Sequence, residues 1–299
     1  MKEVKKIAVI IPVYNRSSEL RLVLDSLTKQ TLPREEFQVI IADDGSAEDI
    51  QAVLSEYPLD ITYRHQPDEG FRVSAARNLG ADAATAEILL YNDNGIMLAE
   101  DNLQKHVDFH VQHGPATVVL GNMLGTDSYS KTTEEIRAVL DHMPLATAIQ
   151  VLHTMEGAKD GREYFLDING EAVYDWPIPW HPVWGGHFSV NRGFVTTHHI
   201  RWNEQFKSWG CEDIEYGIQL VDAGAQVHFA RDIIAVHYPT PNRDYLPHTN
   251  QEEFVKILHF LCTLHPNNKG LEAWVNLRRG VFNQAEREAF YKGRGWAWE

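Results

Sequence analysis

The chain has 299 residues, 43% of them hydrophobic, which is enough to bury the core of one large α/β domain with an appendage or of two small domains. Its 27 basic and 42 acidic residues give a formal net charge of −15, which argues against a nucleic-acid backbone or an anionic membrane as the main partner. Two cysteines, Cys211 and Cys262, are too few for a disulfide framework and no apolar run reaches the ~18 residues of a membrane span, so we expect a cytoplasmic protein without an integral membrane segment.

Strand and helix patterns alternate along the first third of the chain. Continuous apolar, β-branched runs predict four strands, at residues 7–13, 37–43, 61–65 and 87–92. Amphipathic patterns predict helices at residues 17–30 and 73–84, and another that begins near Ala47. The alternation predicts an α/β fold whose parallel sheet binds ligands at the carboxyl ends of its strands. The polar residues at those ends are Tyr14, Asn15, Arg16, Asp43, Asp44, Asp93 and Asn94.

The later part of the chain is less regular. Residues 132–143 show a helix pattern, whereas residues 175–186 (DWPIPWHPVWGG) are so rich in proline, tryptophan and glycine that they predict a loop folding over a site. Strand and helix signals return between residues 187 and 237, and the chain from about residue 246 to 299 reads as mostly helical.

The turn after the first strand argues against two common nucleotide-binding folds. Its sequence, PVYNRSSE, lacks the glycine triplet of a dinucleotide-binding Rossmann site. A Gly-Lys-Ser/Thr P-loop occurs nowhere in the chain.

Two acidic pairs carry the candidate chemistry. Asp43 and Asp44, in the sequence ADDGS, follow the second strand, where a carboxylate can accept a hydrogen bond from the imide N–H of uracil or from a ribose hydroxyl. Alternatively, Asp44 or Ser46 caps the next helix. Glu212 and Asp213, in WGCEDIEYG, precede a helix pattern, where a carboxylate can take a proton from an attacking hydroxyl. Alternatively, they form a charged first helical turn that the helix dipole favours.

Three histidines have a spacing that can bind zinc. His106, His110 and His113 fall on one face of a helix, which we expect to lie at the surface. No HExxH glutamate accompanies them, so a zinc site is not favoured.

Five sequence segments, taken together and in this order, are more specific than any one of them alone: VIIPVYNR (9–16), IIADDGS (40–46), DEGFRVSAARNLGA (68–81), GGHFSVNR (185–192) and WGCEDIEYGIQLVDAG (209–224). Together they resemble the inverting GT-A glycosyltransferases of the family 2 type, with a C-terminal half like that of β-1,4-galactosyltransferases and chondroitin-polymerase domains. The resemblance covers roughly residues 5–240. It implies a GT-A fold, a mostly parallel Rossmann-like sheet flanked by helices.

The resemblance also divides the chain. It implies a glycosyltransferase domain over residues 1–245, with a nucleotide-binding half of about 1–122 and an acceptor-binding half of about 123–245. Residues 246–299 would then form a helical C-terminal extension.

Roles for single residues follow from the same resemblance. Pro12 and Tyr14 would border the uracil, Asp44 would read its imide edge, and Arg77 would lie near the nucleotide. The whole set implied for the nucleotide is Pro12, Tyr14, Arg16, Asp43, Asp44, Arg77 and Asp93.

On the catalytic side, Asp213 matches the general base and Glu212 is placed to bind acceptor or donor hydroxyls. Trp209 would be a sugar platform, because an aromatic face packs on the C–H face of a pyranose; alternatively, it is an ordinary core tryptophan. The set implied for the acceptor and the sugar is Trp184, Gly186, His187 and Trp209.

The metal motif of the resemblance is incomplete. The strand EILLY should end in an Asp-x-Asp motif, but Asp93 takes the first position and Gly95 the second. We expect Mn²⁺ or Mg²⁺ to bind weakly through Asp93 and His237 and to neutralise the departing UDP. Alternatively, arginines supply the positive charge, with Arg72, Arg77 and Arg243 as the candidates.

These expectations define an inverting transferase that moves a sugar from a UDP-sugar to a hydroxyl of a glycan, a small molecule or a polypeptide. Two alternatives stay open. The incomplete metal motif suits a nucleotide-sugar or glycan binding protein that has lost catalysis, although such a protein has no need of a base. A nucleotidyltransferase is disfavoured, because those enzymes usually carry a glycine-rich, basic loop after the first strand.

Overall fold

The computed structural model describes residues 5–125, 133–239 and 251–278. Its strands are β1 (Ile7–Val13), β2 (Phe37–Asp43), β3 (Ile61–His65), β4 (Ile88–Asn92), β5 (Ile96–Leu98), β6 (Thr117–Leu124), β7 (His187–Asn191) and β8 (Gln226–His237). Its α-helices are α1 (Ser17–Thr28), α2 (Ile50–Leu54), α3 (Val73–Ala83), α4 (Asn102–His113), α5 (Thr133–His142), α6 (Leu145–Leu152), α7 (Glu163–Asn169), α8 (Arg192–Thr197), α9 (Glu212–Asp222), α10 (Gln251–Leu264) and α11 (Lys269–Arg278).

The strands of the described chain form one sheet, in the order β3–β2–β1–β4–β7–β6–β8–β5. β1 pairs in parallel with β2 and β4, and β2 pairs in parallel with β3, so the predicted parallel arrangement of the first four strands is confirmed. β7 runs antiparallel to both β4 and β6, and Asn92 pairs with His187. The insertion of β7 therefore brings a distant part of the chain to the carboxyl end of β4.

Helices cover both faces of this sheet. α1 buries Leu20, Val23, Leu24 and Leu27, an i, i+3, i+4, i+7 stripe, in the cluster that also holds the odd-numbered residues of β1. On the other face, α3 lies close to β1 because Gly80 has no side chain. A Cβ at Gly80 would sit 2.5 Å from the Cγ2 of Ile10. A larger residue at this position would therefore push α3 away from β1.

The segment rich in proline and tryptophan differs from its prediction. Residues 176–186 contain no helix or strand, as the glycines and prolines indicate. Trp176 and Trp180, however, are only 6% and 3% exposed and belong to the apolar core. The segment is therefore part of the packed interior over most of its length, and only its last residues, Trp184 to Gly186, reach the carboxyl edge.

The described C-terminal helices pack on this segment. Trp274 of α11 meets Trp180 edge to face, with ring centroids 5.9 Å apart, and Leu258 and Leu261 of α10 join the same cluster as Ile218 of α9. The separation of a 1–245 domain from a 246–299 extension stays a prediction. Within the described residues, no helix is both long enough and apolar enough to cross a bilayer.

The helix of the three histidines, α4, has one exposed face, but two of the histidines lie on its buried face and not at the surface. His106 and His110 are buried, and both hydrogen-bond Ser189 of β7, at 2.9 and 2.8 Å. His113 is exposed at the end of α4 and stacks on Phe109. No group of three or more His, Cys, Asp or Glu side chains in the described residues is arranged to hold a metal.

Candidate active site

Asp43 and Asp44, at the end of β2, are buried, and each of their carboxylate oxygens accepts one hydrogen bond. Asp43 accepts hydrogen bonds from the Ser46 N–H (2.8 Å) and from the Tyr63 hydroxyl (2.6 Å). Asp44 accepts from the Gln66 side-chain amide (2.6 Å) and from the Arg72 N–H (3.0 Å). Burial raises the pKa of Asp44, and these two donors oppose the shift.

Neither Asp44 nor Ser46 caps the following helix, so the alternative reading of ADDGS is wrong. α2 begins at Ile50, and Asp49 caps it by accepting from the Ala52 N–H at 3.0 Å. The aspartates after β2 instead hold the turn at Ser46 and the start of α3 at Arg72, which leaves them at the edge where ligands bind.

The turn after β1 is locked to the turn after β2. Asn15 donates its N–H to the Ser46 Oγ (2.7 Å) and accepts from the Ala47 N–H (2.9 Å). Asn15 and Arg16 have φ values of 55° and 60°, which direct the chain sharply into α1. Tyr14 is half exposed, and its hydroxyl donates to Asp68 (3.0 Å).

Pro12 and Arg16, which also belong to the predicted nucleotide set, lie within β1 and directly before α1. Pro12 is buried within β1, opposite Ala42 of β2. Arg16 is half-buried, and its side chain pairs with Glu19 at 3.2 Å.

Arg77 joins the two acidic parts of the site. Its side chain is only 2% exposed, and it donates from Nη2 to Asp93 (2.9 Å) and from Nη1 to Glu212 (3.2 Å). Its Cζ lies 4.3 Å from the ring centroid of Trp202, which in turn stacks on Tyr216. The guanidinium is therefore held on its edge by two carboxylates and on its face by an aromatic ring.

The acidic pair at the start of α9, Glu212 and Asp213, directly follows two residues with left-handed backbone. Gly210 and Cys211 have φ values of 114° and 66°, and α9 begins at the next residue, Glu212. Glu212 accepts from the Gly210 N–H (3.2 Å) as well as from Arg77, so both of its oxygens are engaged.

Asp213 lies beside Glu212 and is only partly exposed. It accepts from the Gly185 N–H (3.1 Å) and from its neighbour, the Ile214 N–H (2.8 Å). Burial, followed by repulsion from Glu212, raises the pKa of Asp213 to about 7, while the Gly185 N–H and Arg77 act in the opposite direction. A carboxylate with such a pKa can exchange a proton near neutral pH.

The distant motifs share one edge of the molecule. Asp44 binds the N–H of Arg72, directly before α3, and Arg77 reaches Glu212 from the same helix. Five residues of helix span about 7.5 Å. Asp44 and the pair at the start of α9 therefore lie near one another, although they are far apart in sequence.

The predicted sugar-binding residues fall into three situations. Trp184 and Trp209 are half-buried. Gly186 lies next to Asp93, since its carbonyl accepts from the Asp93 N–H at 2.8 Å. His187 is fully buried, with Nδ1 2.8 Å from the Asn92 Oδ1, so the structure does not bring its ring to the edge where a sugar would bind.

The predicted metal residues fit a divalent ion only in part. The Asp93 side chain is 38% exposed, with one oxygen bound to Arg77, and His237 lies on β8 opposite Ile96, just beyond the Asp93 turn. Gly95 has a φ of 95°, and a Cβ there would face Arg16 and Glu19 at 3.5 and 3.7 Å. Position 95 thus forms the turn and supplies no second carboxylate. Arg243 lies outside the described residues.

Several residues of the site escaped the sequence analysis. Gln66 and Tyr63 hold the aspartates at the end of β2, and the only sequence signal for them was their place after and within the weak third strand. Gly185 carried a signal, because paired glycines before a strand suggest a close backbone approach. Trp202 carried none, since it meets Arg77 only in the folded chain.

Comparison with known proteins matches residues 8–174 to the model of glycosyl transferase family 2. The chain belongs to this family. The family 2 relatives include a validoxylamine A glucosyltransferase of Streptomyces hygroscopicus subsp. jinggangensis, 28% identical over 290 residues that cover 94% of this chain and 66% of the relative. A chondroitin synthase of Pasteurella multocida is 27% identical over 249 residues, a region that covers 80% of this chain but only 25% of the synthase. The chain thus spans about two thirds or less of these relatives.

Solved structures agree on the fold. Staphylococcus aureus TarS residues 1–349 in complex with UDP-GlcNAc superposes with a TM-score of 0.65 at 16% identity, over 94% of this chain and 74% of that one. The mannosyltransferase PcManGT of Pyrobaculum calidifontis, in complex with GDP-Man and Mn²⁺, gives a TM-score of 0.58 at 15% identity, over 97% of this chain and 68% of that one. The mixed α/β sheet is therefore the GT-A fold that the sequence predicts.

Proposed function

We propose that this family 2 protein is an inverting glycosyltransferase that moves a sugar from a UDP-sugar to an acceptor hydroxyl, with Asp213 as the general base. The observation that carries the proposal is the contact of Arg77 with both Asp93 and Glu212. It supports a single site in which residues after β4, where the donor diphosphate would lie, are next to the acid that would receive the acceptor's proton.

The proposed reaction is a single displacement. Asp213 takes the proton of the acceptor hydroxyl as that oxygen forms a bond to the anomeric carbon. The bond between this carbon and the diphosphate oxygen breaks, and UDP leaves on the opposite face, so the configuration inverts. The pKa of Asp213, about 7, supports the assignment, because a base is most effective when its pKa lies near the working pH.

The proposed nucleotide site lies at the ends of β1 and β2. Tyr14 and Pro12 would border the uracil, and the buried carboxylates of Asp44 and Asp43 would accept from the imide N–H and the ribose. A carboxylate oxygen has more than one acceptor direction, so Asp44 can keep Gln66 and Arg72 while it accepts from a base. The relatives support a nucleotide sugar as donor, since TarS was solved with UDP and with UDP-GlcNAc.

For the metal, we propose weak binding of Mn²⁺ or Mg²⁺ by Asp93 and His237. When bound, such an ion would neutralise negative charge on the diphosphate. The Mn²⁺ complex of PcManGT supports this assignment by fold alone.

The acceptor is proposed only by class, as a hydroxyl compound that meets Trp184 and Trp209. The named relatives differ in this respect, one acting on validoxylamine A and another being a chondroitin synthase. We further propose a reducing, cytoplasmic setting, in keeping with the free thiols of Cys211 and Cys262.

The test is a thermal-shift screen of nucleotide sugars, followed by a transfer assay with the donor that stabilises the protein most. We expect one UDP-sugar to raise the melting temperature and to release UDP when a suitable acceptor is added. A protein that no nucleotide sugar stabilises would refute the proposal.

The incomplete metal set favours one other candidate, a nucleotide-sugar binding protein without catalysis. Such a protein would be stabilised by the same donor but would release no UDP with any acceptor. The raised pKa of Asp213 favours the enzyme, because a binding site has no use for a carboxylate poised near neutrality.

A further inference from the structure

One side chain connects two sides of the site, the turn after β4 where the donor diphosphate would lie and the acidic pair at the start of α9. Asp93 follows β4 and Glu212 begins α9, and Arg77 holds a carboxylate oxygen of each with a different nitrogen, at 2.9 and 3.2 Å. Arg77 itself is buried and rigidly seated, with Trp202 against its face. A planar guanidinium fixes the angle between two partners in a way that the single nitrogen of lysine does not.

We propose that Arg77 is a positioning residue that couples the two sides, by holding Asp93 and Glu212 in one guanidinium fork and so setting where Asp213 lies relative to the donor. The inference rests on the proposed function. It assigns Arg77 no contact with the substrate, because both terminal nitrogens donate to carboxylates and the side chain is only 2% exposed.

Glu212 receives a new role in this arrangement. One oxygen binds Arg77 and the other binds the Gly210 N–H, within the left-handed turn that starts α9. The side chain is 7% exposed. In this arrangement Glu212 anchors the start of α9 to Arg77. The sequence resemblance implied a different role, in which Glu212 binds hydroxyls of the donor or acceptor.

Gly185 completes the coupling from the other side. Its N–H binds Asp213, and a Cβ at this position would lie 2.5 Å from the Nη2 and 3.0 Å from the Cζ of Arg77. Glycine is thus required where the backbone that orients the base passes against the guanidinium. The position of Asp213 is set by Gly185 and Glu212, which both touch Arg77.

The main experiment compares Arg77→Lys with Arg201→Lys. Arg201 is a matched control, since it also binds a carboxylate with two nitrogens, at 2.7 and 2.9 Å, but on the surface with Asp82. We expect Arg77→Lys to lower kcat by about 100-fold, because a misplacement of about 1 Å costs that much. The affinity for UDP, measured by calorimetry, should stay within about threefold of the wild type. Arg201→Lys should change neither quantity.

Gly185→Ala gives the same test with every charge intact, which keeps the proposal falsifiable if Arg77→Lys does not fold. Its methyl group would push Arg77 aside, and we expect the same loss of kcat with UDP affinity retained. A loss of UDP affinity in proportion to the loss of kcat in either folded variant would mean direct contact with the diphosphate and would overturn the proposal. An unchanged kcat would overturn it as well.

A measurement without turnover separates this inference from the proposed function. The backbone amide resonances of Asp93 and Asp213 should both shift in Arg77→Lys and should both stay in place in Arg201→Lys. A shift confined to one of the two would show that Arg77 does not couple them. If the wild type neither binds UDP nor transfers a sugar, the proposed function fails, and the resonances alone decide the coupling.

Discussion

The site has a donor side, Asp43 and Asp44 at the end of β2, and a catalytic side, Glu212 and Asp213 at the start of α9. The two sides are held in different ways. Asp43 and Asp44 are fixed by partners 3 to 28 residues away along the chain. Glu212 instead depends on Arg77, 135 residues away, and Asp213 on Gly185 of the segment before β7. The donor side can therefore form within the first strands and helices, whereas the catalytic side requires the completed sheet with β7 inserted beside β4.

The largest effect should come from breaking the catalytic side alone. Asp213→Asn removes the proposed base without changing its shape, and we expect kcat to fall by about 1,000-fold, within the range for a general base. The affinity for UDP should stay within about threefold, because the donor side keeps all its contacts.

Asp222→Asn, an exposed position at the end of the same helix, is the control and should retain wild-type activity. Steady-state kinetics and calorimetry with UDP check both variants. Near-native transfer by Asp213→Asn, with the fold intact by circular dichroism, would remove Asp213 from the mechanism.

Breaking the donor side should give the opposite pattern. Asp44→Asn loses the charge of a buried acceptor and weakens its bond to the Gln66 amide, the Arg72 N–H or a bound uracil. We expect UDP affinity to fall by roughly 10- to 100-fold, which corresponds to one charged hydrogen bond, with a smaller change in kcat at saturating donor. Asp60→Asn, in an exposed pair with Lys5, should leave UDP affinity unchanged. Equal UDP affinity of Asp44→Asn and the wild type would disprove a nucleotide contact.

The same difference explains what the sequence predicts. β1, β2 and β3 match their predicted ranges, because apolar, β-branched runs specify buried strands locally. The strand-end rule identified Asp43 and Asp44 for the same reason. It could not identify the contact between Arg77 and Glu212, since 135 residues separate them in the chain and only the folded structure brings α3 and α9 together. The burial of His187 has this cause too, because β7 places it opposite Asn92.

A smaller effect should come from metal. If Asp93 and His237 hold an ion against the diphosphate, Mn²⁺ should tighten UDP binding by up to about tenfold, because a site with two protein ligands binds weakly. Calorimetric titration of UDP with Mn²⁺ and with a chelator measures the difference, and Asp93→Asn should reduce it. Equal affinity in the presence and absence of Mn²⁺ would favour arginines as the source of positive charge.

The smallest effect concerns stability. It compares how well the neighbouring hydrogen-bond donors compensate the negative charges of Asp213 and Asp44. Asp213 has a folded pKa of about 7, above the ordinary value of 3.8, so folding favours its protonated form. The stability that this gives is complete below pH 4 and is lost as the pH rises toward 7.

Asp213→Asn removes the titration and should make the protein about 1–2 kcal/mol more stable than the wild type above pH 7, with the difference shrinking as the pH falls toward 4. Asp44→Asn should give a smaller gain, because burial also raises the pKa of Asp44 but the Gln66 amide and the Arg72 N–H oppose the shift. Chemical unfolding of both variants between pH 4 and 8 measures this, and equal changes in stability in the two variants would show that the two carboxylates are compensated alike.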